Sequence, residues 1–141
     1  MCKWFLLFTS LFFSSNSFAD VNIRLACKEK KEQQQSLLTR LSTSVTEAHL
    51  AGQCTGYYSH SRISFRESCS EFIEQKKSLL SFSTSLKEAY LAGTCIGAIY
   101  KTAQTCEVDT YSINYQSIAD GVSSLSMVEE RLGCYGNRYG W

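Results

Sequence analysis

Two stretches of the chain carry the same order of polar and apolar positions. Ser42-Thr43-Ser44-Val45-Thr46-Glu47 recurs as Ser83-Thr84-Ser85-Leu86-Lys87-Glu88, and a segment with apolar residues every three or four positions follows each. In the second segment these are Leu86, Ala89, Tyr90, Gly93, Ile96, Gly97 and Tyr100, a period that lines one face of an α-helix. A serine followed three residues later by a glutamate is the sequence form of a capping box. The hydroxyl accepts from the N3 amide and the carboxylate reaches back to the N-cap amide. The spacing predicts helices that begin just after Ser44 and Ser85. A third box, Ser124-Leu125-Ser126-Met127-Val128-Glu129, predicts a helix that begins just after Ser126.

The correspondence runs further in both directions. Leu50-Ala51-Gly52-Gln53-Cys54-Thr55-Gly56 matches Leu91-Ala92-Gly93-Thr94-Cys95-Ile96-Gly97, with a worn third form in Leu132-Gly133-Cys134-Tyr135-Gly136. Upstream, Cys27-x-Glu29-x-x-Glu32 and Ser36-Leu37-Leu38 match Cys69-x-Glu71-x-x-Glu74 and Ser78-Leu79-Leu80. Ser44, Ser85 and Ser126 are each 41 residues apart. The segments before the boxes also suit helices, as Phe72, Ile73, Leu79, Leu80 and Phe82 illustrate. Lys28 to Gln35 has no apolar residue and reads as a solvated helix face or a frayed end. Val108 to Val122 is richer in β-branched and aromatic residues and contains the turn signal Asp120-Gly121. The expected fold is all-α: disulfide-stapled helical hairpins in a threefold internal repeat of about 41 residues, with repeats at about 27–68, 69–105 and 106–141.

The N-terminus has a different pattern. Lys3 precedes an apolar block from Trp4 to Phe13, and Ser17-Phe18-Ala19 follows as a small-x-small site. This is the form of an export signal cleaved before Asp20. The block is too short to cross about 30 Å of hydrocarbon as a helix, so no stable membrane anchor is expected. Residues 1–19 are then a signal peptide and residues 20–141 a single helical disulfide-bonded domain, periplasmic or secreted. The chain has 14 Lys+Arg and 13 Asp+Glu, and loss of Lys3 would leave 13 of each. A neutral chain lacks the basic footprint that nucleic-acid binding needs.

The chain has seven cysteines, and apart from Cys2 these are Cys27, Cys54, Cys69, Cys95, Cys106 and Cys134. An even set in a small exported domain reads as three disulfides. In a hairpin turning near Ser83, Cys69 and Cys95 lie at similar distances from the turn, so the two meet side by side. The same reasoning pairs Cys27 with Cys54 and Cys106 with Cys134. A rival pattern pairs Cys54 with Cys69, Cys95 with Cys106 and Cys27 with Cys134 across the connectors. There is no CxxC pair, and His49 and His60 are not spaced with cysteines as zinc ligands are, so neither a metal nor a cofactor is expected.

Nothing in the chain has the form of a catalytic motif, and it does not read as an enzyme. His49 aligns with Tyr90, so its position does not demand imidazole, and it reads as a partly buried helix residue. His60 sits in a polar connector and is expected in solvent. The adjacent pair Glu129-Glu130 reads as solvated helix charge. The row Ala48, Gly52, Gly56, repeated as Ala89, Gly93, Gly97, predicts close helix–helix packing; a shallow groove or a dimer seam is the other use of such a row. Tyr57, Tyr58 and Arg62 follow the first hairpin, and Tyr135, Arg138, Tyr139 and Trp141 crowd the C-terminus. Tyr, Trp and Arg are enriched at binding hot spots, which makes these seven the expected partner-binding residues.

Leu91-Ala92-Gly93-Thr94-Cys95-Ile96-Gly97-Ala98-Ile99 resembles the helix signature of the Rap/Tai class of periplasmic immunity proteins, and Leu50-Ala51-Gly52-Gln53-Cys54-Thr55-Gly56-Tyr57-Tyr58 resembles it as well. The resemblance implies an all-α disulfide-bonded fold, often a homodimer. It also implies a non-catalytic protein that binds and blocks a cell-wall-cleaving toxin, a hydrolase delivered by type VI secretion. The alternative expectation is a secreted or periplasmic structural or interaction module, such as a stress chaperone or a host-facing factor.

Overall fold

Within residues 21–35, 44–77, 85–122 and 124–134, which the computed structural model describes, the chain forms six α-helices and two 3-10 turns, with no strand. The helices are α1 (Ile23–Gln35), α2 (Val45–Ser59), α3 (Phe65–Lys77), α4 (Leu86–Cys106), α5 (Tyr115–Gly121) and α6 (Leu125–Arg131). The turns are His60–Arg62 and Thr110–Ser112. The all-α expectation holds.

Two of the three helix starts lie where the capping boxes put them. Ser44 Oγ accepts from the Glu47 amide at 3.2 Å while a Glu47 carboxylate oxygen accepts from the Ser44 amide at 3.1 Å. Ser85 and Glu88 repeat the exchange at 3.1 and 2.7 Å. The third start differs. Ser124, not Ser126, caps α6, its hydroxyl accepting from the Met127 amide at 3.4 Å, and Ser126 lies in the first turn. The register to the cysteine accounts for the choice. Cys54, Cys95 and Cys134 each stand ten residues after their N-cap when Ser124 is the third.

The disulfides are Cys27–Cys54, Cys69–Cys95 and Cys106–Cys134, with Cα separations of 4.9, 5.0 and 5.1 Å. The pairing across connectors does not occur. The first bond staples α1 to α2 and the second α3 to α4, whereas the third ties the last residue of α4 to the residue that follows the α6 cap region. The expected repeat limits do not coincide with element limits. Residues 68 and 69 both lie within α3, and residues 105 and 106 within α4. α5 and α6 have seven residues each, against 15 in α2 and 21 in α4. The third segment therefore shares the cap-to-cysteine spacing of the first two and not their helix lengths. Three intramolecular disulfides point to an oxidising compartment outside the cytosol.

Helix α4 is the centre of the packing. Ala92 to Ile99 are all buried, which is the signature of a helix surrounded by others rather than one with a single inner face. Phe65 and Phe72 of α3, Ile118 and Val122 at α5, and Val128 and Leu132 at α6 close on Ile96 and Ile99 to form the main apolar core. The Phe72 and Tyr115 rings stand 4.8 Å apart at 59°, joining α3 to α5. The turn signal at Asp120-Gly121 marks the end of α5.

Helix α1 is the outlier. The apolar-free stretch from Lys28 is helical through to Gln35, and Ala26 is the helix's one buried residue. A disulfide and polar contacts attach it antiparallel to α2: Cys27–Cys54 at one end, with Lys30 Nζ donating to Thr55 Oγ1 at 2.9 Å beside it, and Gln33 Nε2 donating to the Glu47 carbonyl at 3.2 Å toward the other. The expected signal peptide, the segment with Leu79, Leu80 and Phe82, and the aromatic tail from Tyr135 lie outside the described residues. Among the described residues, no helix is long and apolar enough to cross a membrane.

Candidate interaction surface

Helices α2 and α4 meet along their glycine rows. A Cβ added to Gly52 would overlap the Tyr90 carbonyl oxygen, and one added to Gly56 would overlap that of Thr94. In return, a Cβ on Gly93 would overlap the carbonyl oxygen of His49, and one on Gly97 that of Gln53. Partners rise in number together on both helices, so α2 and α4 run parallel. Each glycine touches the residue three before its counterpart glycine, in both directions. This reciprocity relates the two helices by an approximate twofold axis that lies between them and along them. Ala48 and Ala89 are buried in the same seam. The glycine row is thus fully used within the chain, and it forms neither an open groove nor a seam for a second copy.

Parallel packing sets the end of α2 beside the last turns of α4. There Tyr57 packs against Tyr58, with ring centroids 5.1 Å apart in an edge-on arrangement, and lies 6.2 Å from the ring of Tyr100. Lys101 Nζ stands 5.2 Å from the centroid of the Tyr57 ring, within cation–π range. The Tyr57 hydroxyl donates to Gln104 Oε1 at 2.9 Å. These contacts fix Tyr57 in orientation, and Tyr58 beside it is 70% exposed. Arg62, four residues beyond Tyr58 in the 3-10 turn, is exposed.

Of the seven residues singled out in the sequence, the structure thus clusters Tyr57 and Tyr58, exposes Arg62 nearby in the chain, and leaves Tyr135, Arg138, Tyr139 and Trp141 outside the described residues. Sequence reasoning missed Tyr100, Lys101 and Gln104. The signal was present in the repeat. Tyr57 corresponds to Ala98, so parallel counterpart helices bring it level with the residues that follow Ala98. A second exposed tyrosine, Tyr111, is 84% exposed on the turn after α4.

A polar knot lies one turn back. The Tyr90 hydroxyl donates to Thr55 Oγ1 at 2.8 Å, the atom that also accepts from Lys30, and Thr55 donates to the Ala51 carbonyl at 3.0 Å. It ties α1, α2 and α4 together beneath the tyrosines. His49, the counterpart of Tyr90, is half-buried as expected. Burial holds its imidazole below the ordinary histidine range, opposed in part by a hydrogen bond to the Ala89 backbone. His60 departs from expectation. It is half-buried because the 3-10 turn that carries it packs on α4, and its Nδ1 is buried without a hydrogen-bond partner among the described residues.

Each of the six cysteines is bonded, so none offers a thiol. Among the described residues, no group of three His, Cys, Asp or Glu side chains is arranged to hold a metal ion. No protein-family model, curated protein or solved structure matches the chain. The surface presents a fixed tyrosine with an exposed one beside it, on a helix that touches its neighbour backbone to backbone.

Proposed function

We propose that this chain is a non-catalytic exported binding protein of the immunity type, one that blocks a cell-wall-cleaving toxin. The observation that carries the reading is Tyr58, exposed on a platform in which Tyr57 is held by Tyr100, Lys101 and Gln104. A tyrosine presented on a rigid support binds with little loss of side-chain entropy, and its hydroxyl finds a hydrogen bond as the ring is buried. The two stretches that resemble the Rap/Tai signature are those that form the glycine seam of α2 and α4, so the resemblance falls on the scaffold of this platform. Cleavage before Asp20 delivers the chain to the periplasm or the exterior, where such a toxin acts and where the disulfides are stable. The tail residues Tyr135, Arg138, Tyr139 and Trp141 add further anchors to the same role.

The test uses the mature chain as bait in a periplasmic extract, with peptidoglycan hydrolysis as the readout. The expected result is capture of a peptidoglycan hydrolase and loss of its activity on cell-wall substrate. The Tyr57→Ala/Tyr58→Ala variant should weaken inhibition by at least about 30-fold, the loss of one hot-spot anchor of about 2 kcal/mol. A chain that captures no hydrolase, or a double variant that inhibits as well as the original, overturns the reading.

A further inference from the structure

We propose that Cys106–Cys134 is an exchangeable disulfide: an external dithiol opens it in the folded chain, and its opening frees α6 while the other two bonds stay closed. The three bonds are not placed alike. Cys27, Cys54, Cys69 and Cys95 each lie inside a helix, so helical turns on either side hold the backbone whether or not the bond is made. The third bond joins two helix ends. Cys106 is the last residue of α4, and Cys134 stands three residues past α6.

Access separates the bonds as well. Cys69 and Cys95 are fully buried, and Cys54 is buried beside a partly open Cys27. Only in the third bond are both cysteines partly open to solvent. Exchange begins when a thiolate reaches one of the two sulfur atoms, so this bond meets an incoming dithiol first. The attacking sulfur forms a mixed disulfide with one cysteine, and the other leaves as a thiolate that takes up a proton. The second thiol of the dithiol then displaces the remaining cysteine. Two electrons and two protons pass to the chain, which gains two thiols, and the dithiol is oxidised to its disulfide.

The backbone beside this bond is strained. Among the described residues, two have a left-handed backbone: Glu107, next to Cys106, with φ of 55°, and Gly133, next to Cys134, with φ of 77°. Both helices end on the same turn, the Val108 amide donating to the Ala103 carbonyl at 3.0 Å and the Cys134 amide to that of Glu129 at 2.9 Å. Glycine adopts this conformation freely, whereas Glu107 carries a Cβ in it at an energetic cost. Once the bond is open, nothing covalent ties that turn to the end of α6.

Helix α6 depends on the bond. It has seven residues and buries Val128 alone, with Leu132 following at the rim of the core. So short a helix is not stable in water by itself. α5 is held independently, by Ile118, Ala119 and the Tyr115 ring against Phe72. Opening Cys106–Cys134 therefore lets Val128 and Leu132 leave the core and uncovers apolar surface of α4, with α1 to α5 in place.

The test treats the mature chain with graded dithiothreitol in the absence of denaturant, traps thiols with N-ethylmaleimide, and follows peptide masses and hydrogen exchange. The expected first product carries two labels, on Cys106 and Cys134. In that species the amides of α6 should exchange at least about tenfold faster than in the oxidised chain, while those of α2 and of α4 around Cys95 keep their protection. The Cys106→Ser/Cys134→Ser variant, free of any label, should show the same fast exchange without reductant. A first product labelled at another pair, or simultaneous loss of all three bonds, overturns the proposal. So does α6 protection that is unchanged in the opened chain and the variant, or unfolding of α2 and α4 along with α6.

Discussion

Gly93 of α4 lies against the backbone carbonyl of His49 on α2, with no room for a side chain between them. The contact recurs with the helices exchanged, between Gly52 and the carbonyl of Tyr90. Tandem segments that could each have packed with a second copy instead pack with one another. The consequence for function is stiffness. The surface around Tyr57 draws residues from both helices, so it holds its geometry only as long as the seam holds.

Alanine at Gly56 or Gly93 should therefore destabilise the fold. Glycine to alanine within a helix gains about 1 kcal/mol in propensity, so the sign depends on space. At Gly56 a Cβ would stand 2.8 Å from the Ala98 amide nitrogen and closer still to the Thr94 carbonyl, and backbone cannot step aside as a flexible side chain can. Overpacking of this kind costs about 1–3 kcal/mol or more. Gly121→Ala is the control, since its nearest neighbour is the end of the Arg131 side chain at 3.5 Å. Thermal unfolding should show a lower Tm for the seam variants and none of that loss for Gly121→Ala. Equal Tm values across the set would reject the seam.

Much of this architecture was legible because its determinants are local. The two capping boxes, the cysteine pairing and the glycine rows all follow from spacing within one helix or one hairpin. Parallel contact between α2 and α4 is not local. Nothing in the spacing of either helix says which neighbour its glycines meet, so Tyr100, Lys101 and Gln104 went unseen beside Tyr57. His60 departs from expectation for a related reason: its polar neighbours in sequence suggest solvent, while the 3-10 turn that carries it packs on α4.

The three disulfides should yield to reductant in a fixed order. Cys69 and Cys95 are both 0% exposed and Cys54 is 6% exposed beside a partly open Cys27, while Cys106 and Cys134 are both partly open to solvent. Exchange requires a thiolate to reach a sulfur atom, so access sets the sequence of attack. Limited reduction with trapping by N-ethylmaleimide should label Cys106 and Cys134 first and Cys69 and Cys95 last. Removing any one bond, each closing a loop of 26 to 28 residues, should cost about 3–4 kcal/mol in the chain-entropy account. Labelling of Cys69 and Cys95 ahead of the others would contradict the burial of that bond.

His49 should make stability depend on pH. Burial lowers its folded pKa beneath the ordinary value near 6.5, so the unfolded chain takes up the proton first as pH falls. The stability contributed by the neutral ring is complete above about pH 6.5 and is lost as pH falls from there through the folded pKa. Urea unfolding at steps from pH 7.5 downward should show this decline, and His49→Gln should flatten it over the range above the carboxylate titrations. A variant with the same slope as the original chain would assign the decline to other groups.

The start of α6 separates two serines that are equivalent by motif. Ser126 has the spacing of a capping box with Glu129, yet Ser124 accepts the Met127 amide, and the two hydroxyl oxygens stand 3.0 Å apart. Loss of an N-cap serine typically costs about 1 kcal/mol, because one of the orphan amides of the first turn loses its acceptor. Ser126, inside the helix, has no such duty, and alanine there replaces a residue of poorer helix propensity with the best one. Ser124→Ala should therefore lower stability by about 1 kcal/mol, while Ser126→Ala should leave it level or raise it slightly. The loss should also show locally. α6 buries Val128 and is tied to α4 by Cys106–Cys134, so fraying of its first turn should speed hydrogen exchange at the amides after Ser124 without disturbing α2 and α4. Were Ser126→Ala the damaging change, the helix would begin two residues later, and the ten-residue spacing from cap to cysteine would hold for α2 and α4 alone.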